Sequence, residues 1–366
     1  MKTLKQIFKK TLHICCFESR RKSITSKQSA SYNTISQERE KRMSIPKLSL
    51  MEILGKLSES MNNFCQNDTV YHYTDLNAFI NIFTNRELWI SNINYMNDAE
   101  EFSNGLSFCK EVLEEYLSDD SFEFKNEFTE ILNFINKKGI PELMGIDAEN
   151  VFSLSFCHEG DLLTQWNCYG TNGVSIGFRN NTGIIENDIS LVPVNLYLKE
   201  LEKYDSPDEM KPKHELHFNL KNVIYNDDEK RRYFHVLFDY VIQEARKASD
   251  AIEIFQSQII NSIYYSCIMM KNSCFSHEQE ARIIIIKPSD AEVSYRTRKD
   301  AILPYIKNKI LDLNCRPHKV FPVTDIVLCP NPNSEFTMKS VKYFLKSQGY
   351  DYLTDKVRVS DIPFRS

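Results

Sequence analysis

Apolar positions along this chain switch repeatedly between the two-residue period of a strand and the 3.6-residue period of a helix. TVYHY (69–73), ELWIS (87–91), VFSLSFC (151–157) and GVSIGF (173–178) are short β-branched or aromatic runs, and each predicts a strand. EARIIII (280–286) is apolar at consecutive positions, as expected of a strand covered on both faces. SLVPVNLYL (190–198) and KNVIYN (221–226) also read as extended. Helical segments lie between them. One is expected from about Leu48 to Phe64, and a second carries Leu76, Phe79, Ile80 and Phe83 on one stripe behind Asp75 as its cap. A third, over 96–117, aligns Leu106, Cys109, Val112 and Leu113. DLLTQWNCYG (161–170) predicts a helical turn, and residues from Asp228 to about Met270 a long helical region bent near Lys247–Asp250. DIVLCP, EFTMKSVKYFLKSQGY and KVRVSDIPF close the chain as strand, helix and strand.

Strands separated by helices of unequal length predict an α+β fold, with a mixed or antiparallel central sheet and flanking helices. A single domain is expected over residues 48–366, with a helical insertion around 228–270. Neither GxGxxG nor GxxxxGK[ST] occurs, so the two common phosphate-cradling loops are excluded.

Composition alters the picture mainly at the N-terminus. The 366 residues are 42% hydrophobic and 26% charged, enough apolar material for a full core. The first fifty residues hold twelve Lys/Arg against three Glu, whereas the rest hold 33 against 47 Asp/Glu. An acidic body with a basic leader does not fit a domain that binds nucleic acid over its whole surface. Residues 1–47 read as a basic, disordered leader. Its apolar stretches are broken by Lys9, Lys10 and His13, which does not suit a secretory signal. Residues 1–22 could touch an anionic membrane surface weakly, through Ile7, Phe8, Leu12, Ile14 and Phe17. Ten scattered cysteines without a CxxC pair fit reduced thiols, so a cytoplasmic location is expected, peripheral to a membrane at most.

Four clusters carry candidate chemistry. In Tyr71-His72-Tyr73-Thr74, His72 points away from the two tyrosines and offers an imidazole to a ligand or to a backbone carbonyl. Ser91 precedes Asn97, Asp98 and Glu101, and Asp98 with Glu101 has the spacing of a capping box. Trp166 and Tyr169 are three apart on a helical turn, able to stack on a planar ring or to fill core. Glu278, Glu280 and Arg282 fall on one face at strand spacing, and two carboxylates so close repel unless a cation compensates.

Taken in order, His72-Tyr73-Thr74, Leu88–Ser91, Asn97-Asp98 with Glu101, Phe152–Phe156, Trp166 with Tyr169, Gly173–Phe178 and Glu278–Glu280–Arg282 resemble a bacterial family known as domain of unknown function 2971. The tail Val359-Ser360-Asp361-Ile362-Pro363-Phe364-Arg365 is similar to that family's closing motif. Ala99, Gln165 and Cys168 depart from its pattern, Cys168 standing where the family has His. More loosely, a strand with His, a strand with Ser, an aromatic and a late Glu-x-Glu resemble the ADP-ribosyltransferase superfamily.

That looser resemblance implies an NAD-consuming enzyme, a transferase or glycohydrolase with NAD as co-substrate and no metal. It also suggests a bacterial toxin or anti-phage effector with a protein or nucleic-acid acceptor. It would make Glu280 the catalytic carboxylate, with Glu278 orienting the acceptor. His72, Tyr73, Thr74, Ser91 and Arg282 would be cofactor contacts, and Tyr169, Trp166 or Tyr95 the stacking ring. Two other classes stay open: a non-catalytic nucleotide- or partner-binding module, and a metal-dependent hydrolase or nuclease using Asp98, Glu101, Glu278 and Glu280.

Overall fold

The computed structural model describes residues 50–95, 99–137, 150–180, 189–193, 202–203, 220–247, 251–298, 301–312 and 321–363. The basic leader, Asn97 and Asp98 lie outside them, as does the side chain of Glu101. The elements are α1 (Leu50–Met61), β1 (Thr69–Thr74), α2 (Leu76–Asn85), β2 (Glu87–Asn92), α3 (Ala99–Ser118), α4 (Lys125–Lys137), β3 (Val151–Cys157), α5 (Leu163–Cys168), β4 (Val174–Arg179) and β5 (Ile189–Pro193). They continue as β6 (Lys221–Asn222), α6 (Asp227–Arg246), α7 (Ala251–Ile268), β7 (Glu280–Ile286), β8 (Ser294–Arg298), β9 (Ala301–Asp312), β10 (Val323–Leu328), α8 (Ser334–Ser347) and β11 (Val357–Val359). This is the expected α+β class.

The residues group into two compact units. One comprises the described residues within 1–60, 106–146 and 231–266, and the other those within 61–105, 147–230 and 267–366. In the first, every described element is helical. Its aromatic residues pack on one another, with Tyr116 against Phe128 at 5.5 Å between ring centroids and Phe128 against Phe238 at 5.3 Å. The second unit carries the sheet.

Among the described residues the sheet has eleven strands, ordered β11-β10-β4-β1-β3-β2-β9-β5, with β7 and β6 joined to it through β3, and β8 through β9. All pairings are antiparallel except β10 with β11. Strand alternation sorts side chains onto two faces. One face buries Val70, Phe152, Leu154, Phe156, Ile176, Ile283 and Ile326 under Phe79 and Phe83 of α2 and Leu345 of α8. The other buries Tyr73, Cys157 and Val327 beneath Trp166 of α5. Consecutive apolar residues in β3, β4 and β7 are thus explained by cover on both sides.

Strand β3 organises the layer. Along one edge it pairs with β7 over its whole length, Val151 opposite Ile286 through Cys157 opposite Glu280. Its other edge is shared. Strand β1 meets it at Cys157 opposite Tyr71, whereas β2 meets it at Ser153 opposite Ser91 and Phe152 opposite Asn92. Between those points β1 and β2 part, and the sheet forks.

Several elements differ from the sequence expectation. The sequence expectation omits α4, although Phe128, Ile131 and Ile135 recur there at helical spacing, and it omits the β8–β9 hairpin, although β9 is twelve residues long and joins β2, β5 and β8. Pro304 and the lysines of β9 disguise it, because proline is usually excluded from strand interiors. Only Lys221–Asn222 of the extended 221–226 run forms a strand. Residues 194–198 of the run expected over 190–198 lie outside the described residues.

Gly173 marks the tightest approach in the sheet, since a Cβ there would lie 2.0 Å from the Thr74 carbonyl oxygen. Backbone cannot step aside as a flexible side chain would. Gly173→Ala should therefore destabilise the protein by about 3 kcal/mol or more. Gly349 has φ near +80° but open space around it, so Gly349→Ala should cost only about 1 kcal/mol. Thermal denaturation of both variants checks the difference.

Candidate functional site

Two groups of polar residues stand out in the sheet-bearing unit. The first is built on the start of β7. Lys271 follows Met270, whose backbone bridges Ile224, and the Lys271 N–H donates to the Ile224 carbonyl at 3.0 Å. A short 3-10 turn, Ser273–Glu278, then leads through Gln279 into β7. Gln279 adopts a left-handed conformation with φ of 47°. Glu278 therefore does not sit on the strand beside Glu280, as even spacing suggests; the left-handed turn swings it into the same cluster.

Lys271 Nζ donates to Glu278 Oε2 at 2.5 Å and to Glu280 Oε2 at 3.4 Å. Arg282 grips Glu280 on both oxygens, Nε to Oε1 at 2.5 Å and Nη2 to Oε2 at 2.9 Å, while Nη1 donates to the Ile268 carbonyl at 2.9 Å. All four residues are buried, Arg282 to 1% exposure. Two carboxylates and two cations sum to zero charge, the condition under which ions tolerate such burial. Burial alone would push the Glu280 carboxyl upward, but Arg282 first and then Lys271 hold it below the usual glutamate range. Glu280 is ionised at neutral pH, with neither oxygen unclaimed. The backbone is fastened too. The Glu280 N–H donates to the Tyr225 hydroxyl, and the Glu278 carbonyl accepts from Gln165 Nε2 and from the Cys157 thiol.

The second group occupies the fork. Where β1 and β2 part, the Ser155 carbonyl has no strand neighbour on that edge, and His72 Nδ1–H donates to it at 3.2 Å. A carbonyl can only accept, so the proton sits on Nδ1 and Nε2 is left as an acceptor. Burial lowers the imidazole pKa, the Ser155 carbonyl partly restores it, and the Arg296 guanidinium lowers it further. His72 is thus neutral. On the β2 side, Arg296 of β8 donates through Nη2 to Ser91 Oγ at 2.8 Å, and its guanidinium carbon lies 5.7 Å from the Tyr305 ring centre. Tyr305 in turn stacks on Trp89 at 4.6 Å.

The residues singled out in the sequence are thus divided. Glu278, Glu280 and Arg282 come together, joined by Lys271, which the spacing gave no reason to include. His72 and Ser91 both border the fork but leave the sheet on opposite faces, since Ser91 stands opposite Ser153 and Tyr71 opposite Cys157. His72 and Glu280 leave the sheet on opposite faces, because Tyr71, next to His72, faces the same way as Cys157 and Glu280. Tyr73 is structural, its hydroxyl donating to the Glu159 carbonyl and accepting from the Leu162 N–H. Thr74 is half-buried at the end of β1.

Trp166 and Tyr169 do not form a shared stacking face. Trp166 is 2% exposed against Tyr73, whereas Tyr169 is 41% exposed at the end of α5. Sequence reasoning also passed over Asp161. It accepts from Trp166 Nε1 at 2.8 Å, the Ser360 hydroxyl at 2.5 Å and the Asp361 N–H at 2.8 Å, tying the tail beyond β11 to α5.

Cys65 lies 3.7 Å from His158 Nδ1, but burial pushes the thiol up and the imidazole down. That leaves both uncharged, the opposite of an activated thiolate pair. Among the described residues no group of three or more His, Cys, Asp or Glu is placed to hold a metal ion, and no helix is long and apolar enough to cross a membrane.

Residues 165–283, from the start of the Trp166 segment to β7, match the family described as Protein of unknown function (DUF2971). No curated protein and no solved structure matches the chain.

Breaking the charge cluster should be costly. Lys271→Met removes one of two cations from two buried carboxylates and should destabilise by about 3–5 kcal/mol in urea denaturation. The sign for Glu280 follows from its depressed pKa. Its stabilisation is present above the ordinary glutamate value of about 4.5 and is lost as pH falls through the lower folded-state value. Glu280→Gln should accordingly flatten the acid limb of a stability–pH curve below about pH 4.5.

Proposed function

We propose that this protein recognises a nucleotide at the fork between β1 and β2, NAD being the leading candidate, and cleaves it between nicotinamide and ribose. The observation that carries this reading is that Ser91, held by Arg296, and Glu280 leave the sheet on one face, Ser91 standing opposite Ser153 and Glu280 opposite Cys157 on β3. Ser91, accepting from Arg296, keeps its own O–H to donate. Ionised Glu280, which leaves the sheet on the same face as Ser91, would supply the negative charge. As the glycosidic C–N bond breaks, its electron pair leaves with nicotinamide and positive charge builds on the ribose, which a fixed carboxylate stabilises. Water or an acceptor nucleophile then bonds to the ribose carbon and loses its proton. Action as a toxin or anti-phage effector belongs to the same proposal.

A second reading is favoured by the closure of the charge cluster. Both Glu280 oxygens are held by Arg282 and Lys271, as expected of a residue whose work is structural. The protein would then be a nucleotide-binding module without catalysis.

Nicotinamide release from NAD, alongside thermal shift with NAD and ADP-ribose, separates the two. Cleavage predicts release by the wild-type chain, abolished in Glu280→Gln at temperatures where circular dichroism shows that variant folded, and reduced roughly tenfold or more in Ser91→Ala. Equal release from wild type and Glu280→Gln would remove Glu280 from the chemistry. A shift without release selects the binding module, and neither shift nor release overturns both.

A further inference from the structure

Among the described residues Arg296 is a cation without a counter-ion. It is half-buried, and no carboxylate among the described residues stands within ion-pair distance of it. Its contacts are the neutral hydroxyl of Ser91 and the Tyr305 ring. Its Nε–H is buried and has no acceptor among the described residues. The acidic group that acts on it, Asp75, caps α2 by accepting the Ala78 N–H at 2.8 Å and makes no ion pair with it. Arg298, two residues on and therefore on the same face of β8, adds a like charge. Burial first and this neighbour second both disfavour the charged guanidinium.

Compare Arg282, equally fixed but gripping a carboxylate on both oxygens. Proteins rarely desolvate a guanidinium with only neutral partners unless its counter-charge arrives from elsewhere. The donors left over are the Nε–H of Arg296 and the O–H of Ser91, whose oxygen already accepts from Nη2. Donors of this kind suit an anion that accepts and does not donate. A guanidinium stiffened by an aromatic ring favours tetrahedral oxyanions, which it can bind through two N–H groups at once.

We propose that Arg296, with Ser91, binds a phosphate group, and that this phosphate belongs to the ligand of the fork. The second clause rests on the nucleotide proposal above; the first does not. His72, on the β1 side, takes no part in holding the anion, because its neutral Nε2 is an acceptor and would repel phosphate oxygens. His72 also leaves the sheet on the face opposite Ser91 and Arg296.

The test titrates the full chain with inorganic phosphate, pyrophosphate and ADP-ribose by calorimetry and thermal shift, comparing wild type with Arg296→Met, Arg296→Lys and His72→Phe. Pyrophosphate should bind the wild type with an affinity that falls as salt rises. Arg296→Met should weaken it tenfold or more, and Arg296→Lys should do so less. His72→Phe, on the other face of the sheet, should leave the binding of both pyrophosphate and ADP-ribose unchanged. Without ligand, Arg296→Met should melt at or above the wild-type temperature, since an uncompensated charge has been removed; a clear fall would mean that Arg296 is a structural residue and would overturn the proposal. Unchanged pyrophosphate affinity in Arg296→Met would overturn it as well. Arg296-dependent phosphate binding without nicotinamide release from NAD leaves this site standing while the cleavage reading fails. Nicotinamide release undiminished in Arg296→Met, with no pyrophosphate bound by the wild type, does the reverse.

Discussion

One strand edge divided between two neighbours governs this sheet. Strand β3 satisfies its backbone against β7 along its full length, but on the other side β1 takes one end and β2 the other. A buried carbonyl in the interval must still be bonded, since leaving it unpaired costs free energy of the order of 1–3 kcal/mol. His72 supplies that bond to Ser155. The histidine is therefore held because the sheet forks, and the fork is tolerable because the histidine is there. Its tautomer follows from that constraint, whereas its neutrality comes chiefly from burial, which the Ser155 carbonyl opposes.

The charge cluster on the other edge of β3 obeys a different logic. Glu280 and Arg282 stand opposite Cys157 and Ser155, where the strand runs into the interior, and each is acceptable there only through the others. Lys271 and Glu278 complete the balance from outside β7, held in place by the Ile224 bridge and the left-handed turn at Gln279. The two polar groups thus contrast: one is electrically closed, the other keeps a positive charge without a partner. Closed networks suit holding a fold, and open ones suit holding a ligand.

What could be read in the sequence was what depends on neighbours along the chain. Strands β1 to β4 and β7, helix α2 with its Asp75 cap, and the α+β class follow from local periodicity and end signals. The closeness of Glu278, Glu280 and Arg282 was also visible, although its geometry came from a turn and not from strand alternation. What could not be read depends on register between distant segments. Nothing in SYRTR announces that Arg296 will meet Ser91, 205 residues earlier. Lys271, at the end of an apolar run, looks like an ordinary helix-ending lysine until Ile224 draws it inward. Asp161 is one acid among many until Ser360 and Asp361 arrive at it. Pro304 hid β9 because local propensity argued against a strand that tertiary pairing imposes.

The closed cluster also limits how this protein can change over generations. Replacing any one of Lys271, Glu278, Glu280 or Arg282 by a residue of different charge leaves an unmatched charge in the interior, so such single steps are expected to be costly even where a different quartet would fold equally well. Exchange must proceed through paired or multiple substitutions, and the effect of one member's mutation depends on the state of the other three. These four positions therefore form a single heritable character, one whose variation across descendants is concerted.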